Sequence, residues 1–210
     1  MSRLRKISSD NTGSTAAEFA MVLPLLLILL FGLIDAGRFM WTYNRAEKAT
    51  QMGARFAVVT DLVPAGLTGY SFAVSGGIPQ GDPIPESSFG GATCSSSTNA
   101  TTAAAVTCSC VTGGTCPSLG TASVSAFNNI LTRMRQFMPE LKANQVNVDY
   151  AFSGLGYAGD PNGIDVAPLV KVSLRNVTFS PGFLPGLAIT MPASSAEATL
   201  EDGSGTTTPN

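Results

Sequence analysis

An uninterrupted apolar segment near the N-terminus, residues 16–34, places the strongest constraint on how this chain can fold. Its nineteen residues contain a single ionisable side chain, Glu18, and as an α-helix they would extend over about 28 Å. That length nearly matches the hydrocarbon core of a bilayer, which is about 30 Å thick. Because a helix satisfies its own backbone hydrogen bonds in lipid, the segment predicts a membrane-inserted helix, and the alternative is a helix buried in a soluble core.

Glu18 lies near the start of this helix, where a carboxylate in lipid is costly and is usually paired. The preceding leader, residues 1–13, has three Lys or Arg among its first six residues and ends at Gly13. Cleavage after Gly13 would create an ammonium group on Ser14, four positions before Glu18 and on the same helix face. The sequence therefore indicates a processing site at Gly13, Ser14 and Glu18, in which Ser14 and Glu18 would pair within one subunit or between neighbouring subunits.

This arrangement resembles the class III leader of type IV pilins, in which a short basic leader, a cleavage-point Gly and a Glu at the fifth mature position precede an apolar helix. The closer resemblance is to the TadE-like pseudopilins of tight-adherence secretion systems. The positions that carry it lie within about residues 10–60 and are Gly13, Ala17-Glu18-Phe19-Ala20, Val22-Leu23-Pro24, Leu25 to Phe31, Gly32 and Gly37-Arg38. Two features depart from the family: Asp35 replaces its usual Glu after the span, and Ser14 and Thr15 are more polar than the residues most pilins place there.

The resemblance implies a membrane-anchored minor pseudopilin that is processed by a prepilin peptidase after Gly13 and acts in the assembly of a tight-adherence (Tad/Flp-type) pilus. The implied partners are the prepilin peptidase, other pilin or pseudopilin subunits, inner-membrane Tad assembly proteins and the lipid bilayer. The implied location is the bacterial inner membrane. Two alternatives stay open: a membrane-tethered extracytoplasmic binding module without a filament role, and an anchored envelope hydrolase.

The four cysteines, Cys94, Cys108, Cys110 and Cys116, crowd a Ser/Thr/Gly-rich segment. An even number of clustered cysteines is typical of disulfides outside the cytoplasm. Because a disulfide between Cys108 and Cys110 would enclose a single residue, we expect two disulfides in which Cys94 pairs with Cys108 or with Cys110. A zinc site is the weaker interpretation, since the chain has no histidine and no CxxC pair. Together with the basic leader, the cysteines favour a cytoplasmic N-terminus and an extracytoplasmic head.

Composition excludes several other classes of function. Charged residues make up 12% of the chain and the formal net charge is −2, with no Lys or Arg between Arg55 and Arg133 to neutralise phosphates. Without histidine, a GxSxG elbow or a GxxxxGK[ST] loop, the sequence gives no support for an enzyme. We expect neither a cofactor nor a metal ion.

Two motifs suggest ligand binding only superficially. Gly154, Gly156 and Gly159 spell GxGxxG after a predicted strand, but Asp160-Pro161-Asn162-Gly163 follows where a dinucleotide site requires a helix. These glycines therefore predict a hairpin loop. Asp160, Asn162 and Asp165 offer oxygen ligands for calcium, yet their spacing is not that of an EF-hand, so a plain turn is favoured.

Periodicity predicts an α+β fold in which the single transmembrane helix continues as an amphipathic helix to about Asp61 and packs on a pilin-like antiparallel-sheet head. The expected organisation is a leader (1–13), a transmembrane and extended helix (14–61), an extracytoplasmic α+β head with a disulfide loop (62–200) and a disordered tail (201–210). The predicted buried face of the extended helix comprises Phe39, Met40, Tyr43, Ala46, Ala49, Met52/Gly53, Phe56 and Ala57. Within the head, the patterns predict a helix over 122–138 and strands around 70–74, 104–108, 146–150, 169–179 and 188–200.

Overall fold

The computed structural model describes residues 12–161, 163–183, 186–201 and 203, and for residues 12–15 it describes the backbone alone. The predicted leader therefore lies outside the described residues as far as residue 11, and so does most of the predicted tail. The described chain divides into two compact units. The anchor unit comprises the described residues up to Thr42 together with Phe179–Ile189, and the head unit comprises Tyr43–Thr178 and the described residues from Thr190 onward.

Helix α1 runs from Thr12 to Ala57, 46 residues without a break, and so contributes to both units. The predicted continuation of the apolar helix into an amphipathic one is confirmed. The helix already includes Gly13, which the sequence analysis assigns to the leader ahead of it, and it ends four residues before Asp61. It ends there because the Phe56 carbonyl accepts the Thr60 hydroxyl at 2.8 Å and the Val59 N–H at 3.3 Å, so the regular helical ladder is not continued.

The head unit is built on a five-stranded antiparallel sheet with strand order β2-β1-β3-β4-β7. A separate two-stranded sheet pairs β5 with β6. The strands are β1 (Gly91–Ser95), β2 (Thr107–Cys110), β3 (Val146–Ala151), β4 (Leu169–Leu174), β5 (Thr178–Phe179), β6 (Ile189–Thr190) and β7 (Ser195–Thr199). The predicted α+β fold is thereby confirmed.

Three short helical elements complete the head: α2 (Ala65–Thr68), α3 (Val124–Arg135) and a 3-10 helix (Ala143–Gln145). Helix α3 starts where the Ser123 hydroxyl accepts the Ala126 N–H at 3.2 Å, an N-cap bond. It is shorter than the predicted 122–138. Met138, the last residue of the predicted helix, lies beyond α3 and is nevertheless buried.

The core of the head forms where α1, α3 and β4 meet. Alternate residues of β3 and β4 are buried, as expected for a sheet that covers a core with one face. A side chain at Gly53 would collide with the Met134 side chain and approach Val172, because a Cβ there would lie 2.7 Å from Met134 Cγ and 3.3 Å from Val172 Cγ1. Close approach of α1 to α3 and β4 thus depends on a residue without a side chain.

Tyr150 of β3 is the largest fully buried side chain of this core. Its hydroxyl accepts the Val63 N–H at 3.0 Å, which satisfies a backbone donor just after α1. Burial raises the pKa of Tyr150 well above its ordinary value, so the phenol stays neutral and the hydrogen bond persists at every physiological pH.

The strand predictions differ in outcome. The alternation at 146–150 is β3, and the runs at 169–179 and 188–200 contain β4 with β5 and β6 with β7. The strand predicted at 70–74 is wrong: successive turns replace it, with Ser75 N–H bonded to the Ser71 carbonyl and both Gly76 and Ile78 N–H to Phe72. The strand expected at 104–108 lies later, at β2, and β1 was not predicted.

Candidate functional site

The apolar half of α1 is exposed over most of its length. Every residue from 16 to 30 is exposed, and large side chains such as Met21 (77%), Leu25 (69%) and Leu33 (64%) have nothing packed over them. The most apolar 18-residue window has a mean hydropathy of 2.5, and none of it is buried. Burial in a soluble core would cover these side chains, so length, composition and exposure together suggest a single-pass membrane anchor.

The residues assigned to processing lie at the beginning of this helix. Gly13 and Ser14 belong to α1, but the side chain of Ser14 lies outside the described part of the chain. Glu18 is exposed on α1, four positions after Ser14 and therefore on the same helix face. The processing site and the pairing of Ser14 with Glu18 stay predictions.

The other end of the apolar segment carries a carboxylate with defined partners. Asp35 is only 5% exposed. Its Oδ1 accepts the Gly182 N–H at 2.9 Å and its Oδ2 accepts the Phe183 N–H at 3.0 Å. The Arg38 guanidinium, one turn along α1, donates to the same Oδ1 at 3.3 Å. We call the Asp35 carboxylate and the two N–H groups it accepts the Asp35 clasp.

The clasp fixes residues 179–189 on α1. We call this segment the β5–β6 loop; it includes the last residue of β5 and the first residue of β6. Two ring contacts lie on either side of Asp35: Phe31 stacks on Phe183 with ring centroids 4.6 Å apart, and Phe39 meets Phe179 edge-on at 5.5 Å. The Arg38 guanidinium lies 5.9 Å from the centre of the Phe179 ring, within cation–π range. Polar and apolar contacts therefore attach the loop to about two turns of helix.

The Asp35 carboxylate of the clasp, which belongs to the first residue beyond the apolar segment 16–34, is ionised at neutral pH. Burial alone would raise the pKa of Asp35, but the N–H groups of Gly182 and Phe183 and the positive charge of Arg38 outweigh it and hold that pKa below its ordinary value. A carboxylate that accepts two backbone N–H groups makes charge-assisted hydrogen bonds, which are stronger than neutral ones.

Gly182 is the residue that lets the loop approach the helix this closely. A Cβ at this position would collide with the Arg38 guanidinium, so any larger residue would push either the loop or the arginine away from Asp35. Beside the clasp, an open groove of about 380 Å³ is lined by Gly32, Asp35, Ala36, Phe39, Met40, Phe179, Pro181, Leu187 and Ile189.

Sequence reasoning found Asp35 only as a departure from the family pattern and missed the clasp. Its acceptor and donors are separated by 147 and 148 residues, and no periodicity connects a helix residue with a loop that far away. Met40, assigned to the buried helix face, is 61% exposed. For the loop that binds Asp35, the sequence carried one signal: the two Pro-Gly steps Pro181-Gly182 and Pro185-Gly186, which are typical of a tight loop.

The cysteines form two disulfides, Cys94–Cys108 and Cys110–Cys116. Cys94 and Cys108 are direct partners in the β1–β2 ladder, and Cys110 at the end of β2 closes a short loop with Cys116. The predicted disulfides are confirmed, and the pairing of Cys108 with Cys110 does not occur. They attach the edge strand β2 and the segment after it to the head, where β2 itself contributes little buried surface.

The glycines of the GxGxxG motif lie in the loop between the antiparallel partners β3 and β4, and all three have positive φ. A hairpin connection, as predicted, accounts for them. Asp165, considered for calcium, instead accepts the Phe72 N–H at 2.7 Å and the Asp160 N–H at 3.1 Å. Asn162 lies outside the described residues. Across the rest of the described chain, no group of three or more His, Cys, Asp or Glu residues is placed to hold a metal ion.

Comparison with curated proteins and with solved structures finds no match to this chain. The model of the TadE-like protein family matches residues 13–55, which lie entirely within α1. The match begins at the glycine of the predicted processing site and includes both Glu18 and Asp35. Residues 13–55 are therefore similar to the TadE-like family, whose members are associated with Tad pili.

Proposed function

We propose that this protein is a membrane-anchored minor pseudopilin that acts in the assembly of a tight-adherence pilus. The observation that carries the proposal is the coincidence of two features in one helix: the TadE-like match over residues 13–55 and an apolar segment of which every residue from 16 to 30 is exposed. A protein that inserts one helix in the membrane and presents a disulfide-bonded head suits a structural or assembly role. The association of that role with a pilus filament rests on the family resemblance.

In this proposal a prepilin peptidase removes the leader after Gly13. The helix then holds the protein as a single-pass subunit of the bacterial inner membrane, with the N-terminus cytoplasmic and the head extracytoplasmic. The two disulfides support that orientation, because disulfides persist in oxidising compartments. The partners are the prepilin peptidase, other pilin or pseudopilin subunits, the inner-membrane Tad assembly proteins and the lipid bilayer.

Processing also gives Glu18 a role in subunit pairing. The new ammonium group of Ser14 would lie four residues from the Glu18 carboxylate, on the same helix face. In lipid such a pair offsets much of the cost of an isolated charge. If the ammonium belongs to a neighbouring subunit, the same attraction sets the register between two pilin helices.

The experiment that tests the proposal is mass spectrometry of the mature N-terminus after expression with a prepilin peptidase. We expect a mature chain that begins at Ser14, and we expect Gly13→Ala to accumulate as the uncleaved precursor in the membrane. Gly37→Ala is the matched control, since it makes the same exchange in the same helix at a position where an added Cβ meets nothing within 4 Å. Cleavage of Gly13→Ala at the wild-type rate would reject Gly13 as the processing site.

A further inference from the structure

The tip of the β5–β6 loop exposes large apolar side chains without any charge among them. Residues 178–190 contain no Asp, Glu, Lys or Arg. Phe183 is 46% exposed, Leu187 49% and Ile189 39%. Chain ends and loops of soluble proteins are normally polar, so an uncharged loop that exposes several large apolar residues requires a partner.

The loop is fixed at a known level of α1. Phe183 stacks on Phe31, which belongs to the apolar segment 16–34, and its N–H is bonded to Asp35, the first residue beyond that segment. Whatever medium surrounds the last turn of the apolar segment therefore also surrounds Phe183. For a helix in a bilayer, that medium is the boundary between acyl chains and headgroups.

The exposed apolar surface continues from the loop onto α1. The open groove beside the clasp is lined by Leu187 and Ile189 from the loop and by Phe39 and Met40 from the helix. Trp41, 69% exposed, follows directly. Tryptophan at this distance beyond a membrane span is typical of the interfacial layer.

The backbone of the loop suits a weakly hydrated environment, because several of its positions have no N–H group that still needs a hydrogen-bond acceptor. An N–H group without a partner is expensive in lipid, and the clasp occupies the N–H groups of Gly182 and Phe183 with a carboxylate. Pro181 carries no N–H group at all. Three successive positions, residues 181–183, thus have no N–H group that water must satisfy.

We propose that the β5–β6 loop is a second membrane-contact element, whose tip inserts Phe183 and Leu187 into the headgroup boundary of the leaflet that surrounds the end of the apolar segment. The occupant of this surface is lipid. The loop then sets the depth and tilt of α1, because it adds an off-axis contact to a helix that could otherwise slide along or rotate about its own axis. This inference rests on the proposed membrane insertion of α1.

The test uses the intact chain, reconstituted with its disulfides into vesicles of phosphatidylethanolamine and phosphatidylglycerol whose acyl chains are brominated close to the headgroups. Trp41 is the single tryptophan of the chain, so a Trp41→Phe background is free of tryptophan. In this background Phe183→Trp reports the loop, Leu29→Trp reports the apolar segment, and Val74→Trp reports an exposed position of the head unit, since Val74 is 85% exposed. Leu187→Trp is a second reporter of the loop that leaves the stack of Phe31 on Phe183 intact.

We expect bromolipid to quench Phe183→Trp and Leu187→Trp strongly, several-fold more than Val74→Trp, and to a degree comparable with Leu29→Trp. If Leu29→Trp is quenched while both loop reporters behave like Val74→Trp, the loop faces water or a protein partner and the inference is wrong, although the anchor stands. If Leu29→Trp is not quenched either, the membrane insertion of α1 has failed, and the proposed function fails with it.

Discussion

The two halves of α1 share one helical backbone but differ in which side chains they expose and bury. In residues 16–34 all of the Leu and Ile side chains are exposed. In residues 43–57 the buried face includes the small residues Ala46, Ala49 and Gly53. Hydrophobicity alone therefore does not decide which part of a helix enters a protein core. The packing partner does: the second half packs on α3 and the sheet, whereas large side chains of the first half such as Leu25 and Leu33 have nothing packed over them.

The second half also shows how charges at helical spacing fix a helix on a head. Arg45 donates from Nε to the Phe137 carbonyl at 2.9 Å and from Nη2 to Glu140 Oε2 at 2.9 Å. Both acceptors lie just beyond the C-terminal end of α3. Residues 19–34 of the first half contain no charged residue, so no ion pair can fix this stretch.

The largest expected effect comes from placing charge in the apolar half. Leu26 and Leu29 are exposed at 54% and 66%, and we expect the double exchange Leu26→Arg with Leu29→Arg to abolish stable membrane insertion. Each arginine near the centre of a span costs about 2.5–3.5 kcal/mol on translocon scales. Resistance to alkaline extraction from membranes measures the result, and the variant should appear in the soluble or aggregated fraction.

The matched control places the same two residues in the other half of the helix. Asn44 and Gln51 are exposed on the head side of α1, so Asn44→Arg with Gln51→Arg adds equal charge without entering lipid. This control should remain in the membrane like the wild type. Equal extraction of the two double variants would show that the halves do not differ in environment.

A smaller effect is expected from filling the close contact in the second half. Gly53→Leu must displace Met134 and Val172, and overpacking of this kind costs about 1–3 kcal/mol, partly offset by about 1 kcal/mol from replacing a helical glycine. We expect the melting temperature of the head, measured in detergent, to fall by up to about 8 °C. Gly37→Leu, in the same helix with nothing within 4 Å of its added Cβ, should not lower it.

Helix α1 and the sheet differ in how much of them the sequence could predict. A run of nineteen apolar residues and a helical repeat are local patterns, so α1 and its change of character near Asp35 were predicted. The strand β1, Gly-Ala-Thr-Cys-Ser, has neither β-branched alternation nor bulk, and it forms because β2 and β3 pair with it on both sides. Tertiary pairing of this kind has no local signature.

The clasp escaped prediction for a related reason. Asp35 follows the apolar segment directly, as a solvated flanking charge would, and only the structure shows that it is buried against a loop that begins more than 140 residues later in the chain. The processing site at Gly13, by contrast, is a linear motif. Linear motifs can be read from the chain, whereas a carboxylate that accepts N–H groups from a distant loop cannot.

A third prediction concerns the attachment of the loop to α1. Asp35→Asn retains one carbonyl oxygen and therefore one of the two N–H bonds, and it loses the attraction to Arg38. We expect the amide hydrogens of Gly182 and Phe183 to exchange about tenfold faster, as for the loss of one bond to a charged acceptor. Hydrogen exchange read at single residues measures this, and amides of β3 serve as the internal reference.

Comparison of the wild type with Asp35→Asn also tests how the strength of the clasp depends on pH. Because the pKa of Asp35 is held below the ordinary value of 3.8, the clasp is at full strength above that pH and weakens as pH falls from 3.8 through the lowered pKa. Wild-type protection of the two amides should therefore decrease on acidification, and Asp35→Asn should show no such decrease. Protection that is equal in both proteins at neutral pH would contradict a role for the carboxylate.

The smallest expected effect concerns Glu18, the acidic residue at the opposite end of the apolar segment. Asp35 has its donors within the same chain, whereas the proposed partner of Glu18 is the ammonium group that processing would create on Ser14, in the same or a neighbouring subunit. An acidic side chain costs about 2.5–3.5 kcal/mol at the bilayer centre and less near an end, so Glu18→Gln should still insert and be cleaved. We expect it to co-purify with partner pilins at reduced yield, while Gln51→Glu, which alters charge on the head side of α1, co-purifies normally. A cleaved Glu18→Gln variant that retains its partners at wild-type yield and supports normal piliation would show instead that Glu18 is solvated at headgroup level and takes no part in pairing.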